Sequence, residues 1–499
     1  MLNYTPQNQM TIFDFKTEFE GKLNPENRWV KMAKLLDWDK FAAIYGRGFS
    51  ATMGAKSIDA RIIIGALIIK HIEGKDDRGT IEMISENPYM QYFLGLDHFS
   101  SKPVFDPSLF VHIRKRLGSA AFDEMNQIII SKALNINEVQ ECKSSKSNLD
   151  NDENDSDFGQ ERDTKIENKG KLQMDATVCD AHIKFPTDLA LLNDAREESE
   201  KLIDIFCKSL NISKPRTYRI VARKKWLNLS KKKRKSHKAI RQGVSQQLNY
   251  VKRNLKHINS IIESNPLVLK ELSRVQYKYL LVIQELYRQQ REMFSERKHS
   301  ISNRIVSIHQ PHIRPIVRGK SGRNVEFGAK INISLQQGYS RINQLDFEAF
   351  NEGKFLKQQV EAFKELNGHY PELVQTDDIY MNRENRNYLK AHNIRHTGRP
   401  LGRKPKKELS KYEKIKLQKE KNERNQVEGK FGQGKQKYKL NKIMAKLSST
   451  SESWIAAILF VMNILKLSKD ILCQFFNKLF MEIFMRNTSN YSFRKYKVV

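Results

Sequence analysis

Residues 140–170 contain almost no apolar side chains, and this stretch limits what the 499-residue chain can fold into. Its sequence, ECKSSKSNLDNDENDSDFGQERDTKIENKG, is polar and rich in acidic residues. Such a composition buries too little apolar surface to offset the entropy lost on ordering, so it predicts a disordered acidic linker. We place this linker at 139–170. The rest of the chain is therefore expected to fold as separate parts on either side of it.

The part before the linker, residues 24–138, has the apolar spacing of helices. The sequence IDARIIIGALIIKHIE, for example, is a strongly apolar helix that should stop at Gly74. Residues 1–23 are expected to be a loosely ordered lead-in. The predicted helix N-caps are Asn24, Ser57 and Thr80.

One short helix of this region ends in a basic cluster. It starts after Asp106-Pro107 and contains Arg114 and Arg116 near its end. Several short helices with such an end are typical of a compact DNA-binding domain of the helix-turn-helix type, in which these arginines would contact DNA. A helical dimerisation or packing domain fits the pattern about equally well.

After the linker, apolar and polar side chains alternate in several runs, which predicts strands. Helical patterns lie between the runs. The predicted fold class is therefore α/β, a mixed sheet with flanking helices built from residues 171–187 and 301–468. The strand-like runs are expected at 171–179, 181–185, 304–317, 324–335, 339–345, 371–380 and 395–398.

Two of these strands bring acidic residues into the sheet. Asp175 lies in the middle of the first strand, on its less apolar face. An acid there is unfavourable for strand formation and needs a reason, such as a metal at the edge of the sheet. The alternative is a side chain that points to solvent from a half-exposed strand. A later strand brings Asp377 and Asp378 to its carboxyl end.

A further acid, Glu428, lies in the sequence RNQVEGKFGQGK, which follows the predicted basic loop RPLGRKPKKELSKYEK. If this stretch is helical, Arg424, Glu428 and Lys435 are spaced by four and then seven residues and share nearly one face. Such a face suits a carboxylate that holds a divalent metal while the cations hold phosphates. A solvated, charged helix is the commoner explanation of a run like this.

Asp175, Asp377 and Glu428 are thus three acids on one α/β scaffold. Two divalent ions about 3.5–4 Å apart need bridging and flanking carboxylates, which three acids can supply. Mg²⁺ or Mn²⁺ would suit these oxygen ligands, and two ions are expected. One ion would lower the pKa of the attacking water or 3′-hydroxyl, and the other would stabilise the leaving oxygen. The sequence has no convincing Ser/His/Asp or Cys/His arrangement for a nucleophilic side chain.

The charge of the chain predicts a polyanionic partner. Its 88 Lys and Arg residues exceed its 57 Asp and Glu residues by 31, which favours nucleic acid over an anionic membrane surface. The densest basic cluster lies in a helical insertion at 188–300. Cations interleaved with aromatic residues can grip phosphates and stack on unpaired bases, although a solvated helical hairpin is the alternative. The predicted DNA contacts there are Lys231, Lys232, Lys233, Arg234 and Trp226.

Other classes of protein are disfavoured. The four cysteines form no CxxC pair, which argues against a zinc site and a disulfide scaffold and fits a reducing compartment. The N-terminus has no signal-peptide pattern, and the apolar segment 454–467 is too short to span a bilayer, so it predicts a buried helix. We therefore expect a cytoplasmic protein with no membrane partner. Residues 469–499 are expected to be a basic and aromatic tail.

Several blocks of the sequence resemble the bacterial insertion-sequence transposases of the DDE type, and the resemblance covers most of the chain. DATVCDAHIKFPTDLALLNDAR resembles the first-acid block, and ELVQTDDIYMNRENRNYLKAHNIRHTGRPLGRKPK the second. RNQVEGKFGQGKQKYKL resembles the third, with Arg424, Glu428 and Lys435 at the spacing of the family signature. Lys421 stands where that signature has a tyrosine. ENPYMQYFLGL and DPSLFVHIRKRLG resemble the helical N-terminal domain of these transposases.

The resemblance implies a ribonuclease H-like catalytic core in which Asp175, Asp377 and Glu428 are the catalytic and metal-binding acids. It implies cleavage at transposon ends and joining to target DNA, with terminal inverted repeats and target duplex as partners. Arg424 and Lys435 would contact phosphates near the cut, and a homodimer would act on paired ends at the nucleoid. Two alternatives remain open: an inactive DNA-binding protein derived from a transposase, and a ribonuclease H-like nuclease without strand transfer.

Overall fold

A computed structural model gives the architecture for residues 2–4, 6, 15–16, 22–50, 56–146, 167–317, 325–402 and 410–494. Most of the predicted linker and of the predicted lead-in lies outside these described ranges. Within them, helices surround one mixed sheet, so the predicted α/β class is confirmed.

The N-terminal part is helical, as predicted. Its last helix continues to Lys146, past the predicted start of the linker at 139. The helices are α1 (Arg28–Leu35), α2 (Trp38–Gly46), α3 (Ala60–Glu73), α4 (Asp77–Glu86), α5 (Pro88–Phe93), α6 (Leu109–Arg116) and α7 (Ser119–Lys146).

The ends of these helices follow local chemistry. Gly74 adopts a left-handed conformation (φ 62°) and ends α3, as predicted. The predicted N-caps are wrong by a few positions, because other side-chain oxygens accept the free N–H groups of the first turn. Thr80, for instance, lies inside α4, where its hydroxyl donates to the Asp76 carbonyl. The caps in the structure are Asn27, Asp59 and Asp76 instead of Asn24, Ser57 and Thr80.

The sheet has the strand order β2-β3-β1-β5-β6, and β4 also pairs with β3. The β1 strand is antiparallel to β3 and parallel to β5, so it lies at the change of direction within the sheet. The strands are β1 (Lys171–Asp180), β2 (Arg314–Val317), β3 (Val325–Gln336), β4 (Tyr339–Asp346), β5 (Leu373–Gln375) and β6 (Arg395–His396).

The turn between β3 and β4 has a clear cause in the sequence. Gln337 and Gly338 both have positive φ (50° and 82°), the conformation that a tight hairpin requires and that glycine adopts without strain. This turn therefore joins the two strands that the sequence predicts at 324–335 and 339–345.

Three predicted strand runs are wrong over most of their length. Of the run 371–380, only Leu373–Gln375 is a strand, and a 3₁₀ helix begins at Asp378. Residues 181–185 form only a single bridge, from Ala181 to Ile443. Of the run 304–317, only the last four residues are a strand. Ile305 and Ile308 are instead buried in the hydrophobic core of the helical insertion, which accounts for their apolar character without any strand.

The N-terminal helices and the sheet share one hydrophobic core, which differs from the expectation of separate parts. Phe41 of α2 packs edge-on against Phe460, with ring centroids 5.5 Å apart. The same core includes Ile331 and Ile333 of β3. Apolar faces on both sides of the linker thus cover each other instead of forming two independent cores.

A buried polar network ties these layers together. Asn463 is fully buried, and its amide nitrogen donates to Asn126 of α7 (2.8 Å) and to the carbonyl of Ser340 in β4 (2.7 Å). Its amide oxygen accepts from the Ser340 N–H (3.1 Å) and from the amine of Lys430 (3.1 Å). Because buried polar groups are costly when unpaired, this network favours one relative placement of the layers.

The insertion at 188–300 is helical, as predicted, and has a hydrophobic core of its own. The apolar spacing of residues 268–294 predicts one long helix, but the helix begins only at Arg274, where Ser273 and Gln276 form a capping box. A 3₁₀ helix (Pro266–Glu271) precedes it. The main helices are α8 (Asp188–Ser209), α9 (Arg219–Ser230), α10 (His237–Ser264) and α11 (Arg274–Glu296).

The remaining helices follow or flank the sheet. Part of the predicted basic loop before Glu428 is a helix, because Ser410 and Glu413 form a capping box at its start. The apolar segment 454–467 is helical and largely buried, as predicted. No helix among the described residues is long and apolar enough to cross a bilayer. The helices are α12 (Leu356–Asn367), α13 (Arg383–Ala391), α14 (Lys411–Glu423), α15 (Asn425–Lys437) and α16 (Ser448–Arg494).

Candidate active site

The parallel pairing of β1 with β5 aligns the first two predicted acids. Gln173 pairs with Gln375 in the sheet, and their side-chain amides form a hydrogen bond of 2.8 Å. Asp175 lies two residues after Gln173, and Asp377 lies two residues after Gln375. The two carboxylates therefore lie on neighbouring chain segments at the same level of the sheet, although more than 200 residues separate them in sequence.

Asp175 is a carboxyl group in a poor environment for its charge. Its side chain is only 18% exposed. Burial raises its pKa to about 6, while the Ala176 N–H and the Arg424 guanidinium act to lower it. The negative charges of Glu352 and Asp377 raise it further. Asp175 is thus a buried acid with too little positive charge around it.

Asp377 and Asp378 have different surroundings, although both are exposed. Asp377 follows β5 directly and accepts a hydrogen bond of 2.8 Å from the Asp378 N–H, which starts a short 3₁₀ helix (Asp378–Tyr380). Asp378 instead forms an ion pair with Arg399 (3.3 Å). The sheet alignment and this outward pairing favour Asp377 as the partner of Asp175.

The third predicted acid lies on α15, and Arg424 connects it to the first. The Arg424 guanidinium is 3.6 Å from an oxygen of Asp175 and 3.0 Å from an oxygen of Glu428. Glu428 itself is 56% exposed. Lys435, half-buried, lies seven residues further along the same helix, about 10 Å along its axis. The predicted helix therefore exists, with Arg424 at its N-cap position.

The carboxylates of Asp175, Asp377 and Glu428 are not gathered around one point. Among the described residues, no group of three or more His, Cys, Asp or Glu side chains is arranged to hold a metal ion. The structure places Asp175, in the middle of β1, beside Asp377, just after β5 ends, and Arg424 pairs with both Asp175 and Glu428. This arrangement offers hard oxygen ligands beside a cation that can also bind phosphate.

Sequence reasoning missed several residues of this region. Glu352 starts a 3₁₀ helix (Glu352–Phe355), and its carboxylate is 2.8 Å from the Lys330 amine of β3. Tyr380 is fully buried and donates a hydrogen bond of 3.0 Å to the amide oxygen of Asn332. The available signal was the pair of polar residues, Lys330 and Asn332, which lie between the apolar residues Ala329, Ile331 and Ile333 of β3.

The two predicted DNA contacts of the N-terminal domain, Arg114 and Arg116, differ in their exposure to solvent. Arg114 is buried, because both of its terminal nitrogens bind the Asp77 carboxylate (3.0 and 2.9 Å). Its guanidinium also lies 5.1 Å from the Trp454 ring centroid. This arginine holds helices together and has no open face for DNA, so the prediction of a DNA contact is corrected. Arg116 is exposed, with its guanidinium over the Phe49 ring.

The basic cluster of the insertion is exposed. Lys231, Lys232, Lys233 and Arg234 lie in the connection between α9 and α10, and all four are solvent-accessible. Trp226 is half-buried and packs partly against the core of the insertion. The Lys184 amine lies 5.6 Å from its ring centroid. The cations are therefore available to a partner, whereas the tryptophan is only partly so.

Lys430, two residues after Glu428, gives a test of how α15 is held. Its amine donates to the Gly338 carbonyl and to the Asn463 amide oxygen, both at 3.1 Å. Burial lowers the pKa of this amine to about 7. Between about pH 7 and pH 10 the folded state then binds fewer protons than the unfolded state, so stability should rise with pH.

In the wild type, the free energy of unfolding should rise by at most about 1.4 kcal/mol per pH unit in this range. We expect Lys430→Met to lack this rise, so that its apparent Tm does not increase with pH as the wild-type Tm does. Thermal unfolding at pH 7, 8 and 9 would measure it. Lys442→Met removes an exposed lysine and is the matched control, which should keep the wild-type slope. Equal slopes in all three proteins would show that Lys430 stays charged inside the fold.

Fold and site together define a mixed α/β protein with two aligned acids on neighbouring segments in the middle of its sheet and cations beside them. Residues 374–465 match the family model described as a transposase DDE domain, and residues 17–116 match a transposase domain (DUF772). The two matches confirm the predicted resemblance to the insertion-sequence transposases of the DDE type. The match at 374–465 includes Asp377 and Glu428 and begins after Asp175, whose place beside Asp377 follows from the pairing of β1 with β5.

A curated relative is less informative. An uncharacterized protein, ORF8 in the nfe locus of Rhizobium meliloti, is 28% identical over 120 residues. This match spans 24% of the present chain and 58% of that protein. No solved structure matches the chain.

Proposed function

We propose that this protein is a transposase that cuts the ends of an insertion sequence and joins them to target DNA. The reaction would be a phosphoryl transfer that depends on divalent metal ions. The alignment of Asp175 with Asp377, together with the link from Asp175 through Arg424 to Glu428, is the observation on which the proposal rests. We also propose a ribonuclease H-like core, since four strands with antiparallel pairing, β1 to β4, are extended by two parallel ones, β5 and β6.

The acids suit divalent ions of the Mg²⁺ or Mn²⁺ type. Carboxylate oxygens are the ligands that these ions prefer, and a buried acid whose pKa is raised to about 6 lacks the positive charge that an ion would bring. Asp175 and Asp377 would hold the ions, with Glu428 completing the set. When bound, the ions would activate the attacking oxygen and stabilise the leaving one.

Arg424 has a defined part in this proposal. Its guanidinium now neutralises both Asp175 and Glu428. Ions bound by these acids would compete with it, and the freed guanidinium would lie beside the reacting phosphate. Lys435, further along the face of α15, would hold the DNA strand that continues from that phosphate.

The DNA partners are proposed from charge. Lys231, Lys232, Lys233 and Arg234 are exposed and would bind phosphates of the duplex, with Arg116 as a further contact. Terminal inverted repeats and target DNA are the proposed partners, and a homodimer on paired ends in the bacterial nucleoid is the proposed form.

A strand-transfer assay tests the proposal. The protein is incubated with Mg²⁺, a duplex that carries the ends of the element, and a circular target plasmid. We expect cut ends and a covalently joined product. Binding without cleavage would favour an inactive DNA-binding relative, and cleavage without joining would favour a nuclease. Inverted repeats bracketed by short direct repeats in the DNA around the gene would provide the ends to use.

A further inference from the structure

Glu352 lies close to the proposed metal site but belongs to none of the three acid blocks. Its side chain is 15% exposed and forms a 2.8 Å ion pair with Lys330, which is equally buried. The Lys330 amine also donates to the Phe350 carbonyl at 2.8 Å. Both charged side chains are thus largely removed from solvent, where a charge is costly unless it is paired.

The 3₁₀ helix Glu352–Phe355 is packed directly onto the segment that follows Asp377. A side chain at Gly353 would place its Cβ 2.8 Å from the Ile379 carbonyl oxygen, so only glycine allows this approach. The Asn385 amide donates to the carbonyls of Gly353 and Tyr380, both at 2.7 Å. These contacts fix Glu352 relative to Asp377.

Electrostatics agree with this packing. Tyr380 belongs to the segment that follows Asp377, and its pKa is raised by burial first and then by the negative charges of Glu352, Asp175 and Asp377. The charge of Glu352 also acts on Asp175. One buried hydroxyl therefore lies within the field of three carboxylates that come from three separate parts of the chain.

We propose that Glu352 is a fourth carboxylate of the metal site and that Lys330 is its counter-ion in the absence of metal. The inference rests on the proposed function, because it assigns Glu352 to the same ions. Lys330 offsets the negative charge while no ion is bound, as Arg424 does for Asp175 and Glu428. A bound ion would then share Glu352 with Lys330 or replace Lys330 as its partner.

Binding of Mn²⁺ to the DNA-free, full-length protein tests this without any activity measurement. Free Mn²⁺ is followed by electron paramagnetic resonance, and Tm is measured with and without Mn²⁺. We expect Glu352→Gln to weaken Mn²⁺ binding by about 10- to 100-fold. Glu348→Gln removes the same charge from an exposed position four residues away and should bind as the wild type does.

Lys330→Met gives a second and opposite readout. It leaves Glu352 without its counter-ion, so the metal-free protein should melt at a lower temperature and Mn²⁺ should raise its Tm more than it raises that of the wild type. Lys354→Met, at an exposed lysine, is the control for this change. The variant therefore tests the pair even if Glu352→Gln folds poorly.

The outcomes separate this inference from the proposed function. If Asp175→Asn loses Mn²⁺ binding while Glu352→Gln and Lys330→Met respond as the wild type does, Glu352 is not part of the site but the proposed function stands. If the wild type shows no Mn²⁺ binding, the metal dependence itself is wrong and both proposals fail.

Discussion

Asp175→Asn is expected to abolish metal-dependent strand cleavage and to make the folded protein more stable at pH 7. Cleavage is lost because the ions, which stabilise the transition state by several kcal/mol, would no longer be held by this ligand. The rate of cleavage should therefore fall by about 1,000-fold or more. The gain in stability has a separate cause. The folded protein holds the Asp175 carboxyl with a pKa of about 6, which is above the value of an unfolded aspartate.

The sign of the stability change follows from linkage. Between about pH 4 and pH 6 the folded state binds more protons than the unfolded state, so Asp175 costs stability as pH rises through this window. At pH 7 the full cost, at most about 3 kcal/mol, is present. Asparagine carries no charge, so the Tm difference between variant and wild type should be largest at pH 7 and nearly vanish at pH 4.

The neighbouring acids provide the comparison. Asp377→Asn and Glu428→Gln should also lose cleavage, whereas Asp378→Asn, which removes an outward-facing acid paired with Arg399, should keep it. Gel analysis of the cut duplex and thermal unfolding at pH 4 and pH 7 measure the two effects. Wild-type cleavage by Asp175→Asn would show that the reaction does not use this acid.

Replacing Lys231, Lys232, Lys233 and Arg234 together with alanine is expected to weaken DNA binding and to flatten its salt dependence. Each phosphate contact releases counter-ions and contributes about 0.9 to the slope of log K against log salt, so four contacts would remove about 3.6 from it. All four side chains are exposed on one connection of the insertion, which allows them to act together. Binding isotherms on one duplex at about 50, 100 and 200 mM salt measure the slope. Counter-ion release changes the affinity strongly over this range of concentrations.

A charge-matched variant controls for net charge. Alanine at Lys208, Lys252, Lys256 and Lys270 removes four exposed lysines that are dispersed over the same insertion. This variant should keep most of the wild-type slope. If both variants lowered the slope equally, the cluster would contribute only general positive charge and would not be a DNA contact surface.

The sequence predicted those parts of the structure that local chemistry determines. Gly74 adopts the left-handed conformation expected where a helix ends. The alternation of side chains around Asp175 located β1 correctly, because successive side chains of a strand point to opposite faces. The helix that contains Glu428 agrees with the spacing of Arg424, Glu428 and Lys435.

Contacts between distant segments were beyond such reasoning. Arg114 looked like a DNA contact until Asp77, 37 residues away, proved to bind it. Glu352 looked like an ordinary first residue of a helix, because its partner Lys330 lies in a different strand. The apolar side chains of Ile305 and Ile308 suggested a strand, but they are buried against the insertion. In each case the decisive partner is remote in sequence and is brought close only by folding.

A crystal of the protein grown with Mn²⁺, measured for anomalous scattering at the manganese edge, tests the central proposal most directly. We expect anomalous peaks within about 2.5 Å of carboxylate oxygens of both Asp175 and Asp377, with Glu428 turned away from Arg424 toward the ions. Peaks that lie only elsewhere on the protein, with Arg424 still bound to Asp175 and Glu428, would contradict the proposal.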